Sequence, residues 1–121
     1  MLEDSNIRRV GISLASIVSI RDALPRVKKS DLRPGDHVCV KTRNSRYEIR
    51  VLGDGKYAVS GGWFDRKGAS PAIMTIAGCT WGGSAILVDV VAACGLSLEF
   101  GNRLITSPIQ KIFVLPRANR N

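Results

Sequence analysis

The 121-residue chain is of single-domain size, and its 45% hydrophobic and 23% charged content excludes wholesale disorder. Eighteen Lys and Arg against ten Asp and Glu give a net charge of +8 and a pI of about 10.0, a field that favours polyanions such as nucleic acid or an anionic membrane face. The three cysteines, Cys39, Cys79 and Cys94, are widely spaced and lack a CxxC pair, which excludes a disulfide framework and points to a reducing, cytoplasmic setting.

In chain order, residues 1–31 read as an N-terminal segment and basic linker, with a helix as one reading of it. Ile7, Val10, Leu14, Ile17, Val18 and Leu24 fall near one helical stripe, and Pro25 ends it. Val10, Ile12 and Leu14 also alternate as a strand would, so helix and strand both stay open there. Arg8-Arg9 before the apolar run Val10 to Ile20 imitates a signal peptide. Glu3, Asp4, the interrupting serines and the missing cleavage site argue against it, and the run is shorter than the ~20 residues that span a bilayer. The expectation is no membrane partner.

Residues 32–115 read as a small β-barrel-like domain, and 116–121 as a basic tail. Pro34-Gly35-Asp36 marks a turn, and Val38 and Val40 alternate with His37, Cys39 and Lys41. The clearest stretch runs from Asn44 to Gly62. Tyr47, Ile49 and Val51 alternate with Glu48 and Arg50, Gly53-Asp54-Gly55 turns the chain, and Tyr57 and Val59 resume the alternation. Trp63 to Pro71 reads as a loop, Ala72 to Ala77 as one strand, and Gly78 to Ser84 as a glycine-rich turn. Ala85 to Val91 reads as a strand with a helix as rival, since Leu87, Val90, Val91 and Cys94 also have helical spacing. Leu96, Leu98 and Phe100 alternate, Gly101-Asn102 closes a turn, and Ile109 to Leu115 makes a final apolar strand. The fold class is therefore mainly β: a small antiparallel barrel or two-sheet sandwich behind an N-terminal helical or irregular segment.

Charge is unevenly distributed. No Lys or Arg lies between Gly68 and Asn102, whereas Arg21 to Arg50 holds nine cations against four acids. Arg26, Lys28, Lys29, Arg33, Lys41, Arg43, Arg46 and Arg50 are the candidate nucleic-acid-binding residues, because cations on an open sheet neutralise phosphates while aromatics stack on bases. Alternation sends Tyr47 to the face opposite Arg46 and Arg50, so the stacking half is missing unless Trp63 or Trp81 supplies it.

Other chemistry finds less to build with. The glycine loop lacks the lysine of a phosphate loop and the spacing of a nucleophile elbow. His37, Cys39, Cys79 and Cys94 match no zinc-ligand spacing, so no metal or cofactor is expected. A Cys/His pair is the thin basis for an enzyme. The leading expectation is a non-enzymatic module contacting nucleic acid with little sequence specificity. Its alternative is a structural or protein-interaction domain, or a homo-oligomer joined through edge strands.

Overall fold

A computed structural model describes residues 26–81 and 85–117. The helix or strand expected over Ile7 to Leu24, the residues Gly82 to Ser84 and most of the basic tail lie outside the described residues. The described chain is mainly β, as its alternation requires. Its strands are β1 (Arg26–Lys28), β2 (His37–Thr42), β3 (Arg46–Gly53), β4 (Lys56–Gly61), β5 (Ala72–Met74), β6 (Ile76–Thr80), β7 (Ile86–Leu87), β8 (Val90–Ala93), β9 (Ser97–Phe100) and β10 (Ile109–Leu115). A 3-10 turn covers Lys29–Asp31 and a short helix, α1, covers Gly62–Arg66.

All pairings are antiparallel. The largest sheet has the order β10-β2-β3-β4-β5; β7-β6-β9 and β1-β8 form two smaller ones. Among the described residues the sheets do not close into a barrel. They stack as a sandwich, with one face of the five-stranded sheet turned to a shared core.

The core follows from period 2. Val38 and Val40 of β2, Tyr47, Ile49 and Val51 of β3, and Tyr57 and Val59 of β4 are buried. They meet Ile76 and Cys79 of β6, all of β8, and Leu98 and Phe100 of β9 in one cluster. Four rings lock its centre. Phe64 stands edge-on to Phe100 at 5.2 Å and to Tyr47 at 6.1 Å, Tyr47 lies 5.5 Å from Phe100, and Trp63 is edge-on to Phe64 at 5.3 Å. Each such pair adds about 0.5–1.5 kcal/mol beyond area burial.

The β3–β4 hairpin turns at Asp54 and Gly55, both with positive φ, where the glycine-flanked turn was expected. At the far end of β4, Gly61 has φ +98, and a Cβ there would collide with the Arg46 carbonyl oxygen. Only glycine lets β4 lie that close to β3 while the chain swings into α1.

Four local readings change. The expected loop at Trp63 to Arg66 is helical, because Phe64 buries into the aromatic cluster and holds the turn. The single strand expected over Ala72 to Ala77 divides at Thr75. β5 pairs with β4, and β6 continues in the other layer beside β9, with Gly101 N–H donating to the Thr75 carbonyl at the crossing. The Ala85 to Val91 stretch is neither one strand nor a helix: β7 and β8 are separated by a turn at Val88-Asp89. Part of the supposed linker is β1, paired with β8 through Arg26 opposite Ala93. β8 is buried on both faces, which explains its unbroken apolar run.

Candidate nucleic-acid interface

The outer face of the five-stranded sheet carries the residues that alternate with the core. β2 presents His37, Cys39 and Lys41; β3 presents Arg46, Glu48 and Arg50; β10 presents Lys111, Phe113 and Leu115. Register sorts them into rows across the strands. Lys111 lies opposite Lys41, and Lys41 opposite Arg46. The next row is Phe113, Cys39, Glu48 and Ser60. The third is Leu115, His37, Arg50, Ala58 and Ile73. Strands lie about 4.8 Å apart, so Lys111 to Arg46 spans roughly 10 Å.

Arg66 extends the cationic row. Its Nη1 is 3.5 Å from Ser45 Oγ, next to Arg46, so α1 returns a positive charge to the β2–β3 turn. That turn is held by Thr42 and Ser45. The Ser45 N–H donates to Thr42 Oγ1 at 2.9 Å, and Thr42 Oγ1–H donates to the Ser45 carbonyl at 3.0 Å. Ser107 Oγ accepts from Asn44 N–H at 3.0 Å, and the Pro108 carbonyl accepts from Arg43 N–H. Arg43 is thus exposed on a braced turn beside the row.

Of the eight cations singled out from sequence, Lys41, Arg46 and Arg50 share this face, with Arg43 at its edge. Arg33 lies in the turn before β2, and its backbone N–H donates to the buried Asp36 carboxylate at 2.9 Å. The same carboxylate accepts from Arg117 N–H at 3.2 Å, tying the end of the described chain to that turn. Arg26 and Lys28 belong to β1, in a different sheet. Lys29 turns inward. Its Nζ donates to the Ile76 carbonyl at 2.7 Å, and burial holds its pKa below the usual lysine range against the opposing pull of Asp89. Its role is structural.

The aromatic partner of the cations is not the one expected. Trp63 and Trp81 are half-buried against the core and do not join the outer face. Phe113, 59% exposed, does. Phe113, Lys111 and Arg66 were not legible as site residues. The one signal was the polar pair Gln110-Lys111 inside an apolar strand, which marks β10 as exposed.

Two shallow concavities open on this face. One, of about 320 Å³, is lined by Cys39, Lys41, Arg46, Glu48, Phe113 and Leu115 among others. A second, of about 200 Å³, lies between His37, Glu48, Arg50 and Pro71. Glu48 borders both, and its carboxylate makes no hydrogen bond or ion pair to any described residue.

The thiols are poised against nucleophilic work. Burial pushes Cys79 up to about 12, and it is sealed in the core with its Sγ 3.5 Å from the Val91 carbonyl oxygen. Burial also raises Cys94 and Cys39; Glu48 adds to the Cys39 shift and Arg46 opposes it. Reactive thiols show the opposite displacement. Cys39 shares the outer face with His37, two residues away on β2. Among the described residues, no three His, Cys, Asp or Glu side chains gather as a metal site, and no helix is long and apolar enough to cross a membrane. No family model, no curated protein and no solved structure matches the chain.

Proposed function

We propose that this chain is a non-enzymatic module that binds single-stranded nucleic acid across the outer face of its five-stranded sheet. The observation that carries the reading is the register row Lys111, Lys41, Arg46, with an exposed Phe113 one row away. Cations in a line release counterions from successive phosphates, and a free aromatic ring stacks on an unpaired base. Neither needs much sequence specificity. The nucleic-acid backbone then runs across the strands, over the cations, with its bases turned toward Phe113.

Fluorescence anisotropy with a labelled single-stranded RNA or DNA oligonucleotide tests this. Binding is expected at low salt, falling steeply as salt rises, with a duplex of equal length bound less well. Micromolar protein that leaves the oligonucleotide unshifted at low salt removes the reading.

A second reading has its own observation. Among the described residues β10 is an edge strand, and Phe113, Val114 and Leu115 on it are 59%, 40% and 58% exposed. Long apolar edges pair with other chains. Self-association through β10 predicts a dimer by light scattering that Val114→Lys dissociates. A monomer at high micromolar concentration ends it.

A further inference from the structure

The carboxylate of Glu48 is out of place on a phosphate-binding face. It stands in the row between the Lys41–Arg46 rung and Arg50, exposed, and no described residue pairs with it. Left to electrostatics alone it would only repel a polyanion. It also lines the 320 Å³ cavity together with Phe113, Cys39, Lys41 and Arg46. Phe113 pairs with Cys39 and Cys39 with Glu48, so the two residues' Cα atoms are two strand spacings apart, roughly 10 Å, on one face. The volume sits at the small end of the ~300–1,000 Å³ range of ligand pockets, enough for one planar heterocycle.

We infer that this cavity takes one unpaired guanine of the bound strand, packed on Phe113 with its Watson–Crick edge on Glu48. The inference rests on the single-strand reading above and adds one point of base selection to it. An ionised carboxylate only accepts hydrogen bonds. Guanine alone among the four bases offers two adjacent donors, N1–H and N2–H, that match both carboxylate oxygens. Adenine and cytosine offer an amino donor beside a ring-nitrogen acceptor, and uracil offers one N–H between two carbonyls, so each sets a lone pair against the negative charge. The flanking phosphates are then within reach of the Lys111, Lys41 and Arg46 row, which offsets the charge of Glu48. Selection comes as much from repelling the wrong edges as from attracting the right one.

The test uses the full chain and four labelled oligouridine-based strands that differ only in a central G, A, C or U. The central-G strand is expected to bind on the order of tenfold tighter, as good bidentate base contacts do. Glu48→Gln exchanges one acceptor for a donor and removes a negative charge from the face, so it is expected to level the four affinities and to tighten plain oligouridine binding slightly, with far-UV circular dichroism unchanged. Equal affinity of the native chain for all four strands overturns the base selection and leaves the interface standing. No binding of any strand at low salt removes the interface, and this inference with it. Guanosine monophosphate is the second arm. Displacement of the strand only at hundredfold excess or more supports a strand site; displacement at equal concentration overturns it in favour of a free nucleotide.

Discussion

Lys41 and Arg46 occupy the same rung of the β2–β3 ladder, side by side on the outer face, with Lys111 on the other flank of Lys41. Like charges directly opposite one another on a sheet are destabilising, by a fraction of 1 kcal/mol. Replacing one of them therefore separates stability from binding. Lys41→Glu is expected to stabilise the fold by about 0.5 kcal/mol in low-salt urea denaturation. The gain should fade in ~1 M salt, where the screening length falls to about 3 Å. The same variant should bind an oligonucleotide markedly more weakly. A loss of stability at low salt would contradict the charge crowding.

Phe113 and Lys111 are two residues apart on one strand face and have separable tasks. Phe113→Ala should weaken single-strand binding by about 1–3 kcal/mol and leave the salt slope unchanged, because stacking releases no counterion. Lys111→Ala should reduce that slope by about 0.7, the share of a single phosphate. Both side chains are exposed, so neither change should move the urea midpoint much. Salt titrations by anisotropy on the two variants check this; equal slopes in both would sink the division of labour.

Phe100 is fully buried and touches Phe64 and Tyr47. Truncating it leaves a void at the centre of the ring cluster. Phe100→Ala is expected to destabilise by about 3–5 kcal/mol, a large part of the ~5–15 kcal/mol that holds a typical domain. Denaturant or thermal melts read the loss directly. A shift below 1 kcal/mol would mean the rings do not organise the core.

Cys79 makes the fold sensitive to alkali. Its folded pKa is raised from 9.0 to about 12 by burial. Below pH 9.0 the thiol is protonated in both states and its contribution is intact. Above that value the unfolded chain releases the proton while the folded chain keeps it, so rising pH favours unfolding, by roughly 1.4 kcal/mol per unit, until the folded pKa is reached. Urea midpoints from pH 8 to pH 11 should fall more steeply for the native chain than for Cys79→Ala. The comparison cancels Cys39, Cys94 and Tyr57, whose values burial also raises. Parallel curves would place the thiol in contact with solvent.

Alternation is a local property, and it sufficed for most of the strands. Val38 and Val40, Tyr47 to Val51, and Leu98 and Phe100 each declare which face is buried, because a strand that slips by one residue turns its apolar set out to solvent. The β3–β4 turn was equally plain, since Asp54 and Gly55 sit where positive φ is required. Short-range signals also placed Arg46 and Arg50 on one face and Tyr47 on the other. Which strand lies beside which is a different matter. Nothing near Lys41 in the chain announces Lys111 and Phe113, some seventy residues away; the sheet order β10-β2-β3 brings them together. The same long-range pairing carries Arg26 and Lys28 into another sheet, turns Lys29 inward onto the Ile76 carbonyl and splits Ala72 to Thr80 between two layers. Composition and periodicity determined that this chain is a basic β-protein with a buried middle. Register and layer order, which depend on partners distant in sequence, decided which of its charges form a surface.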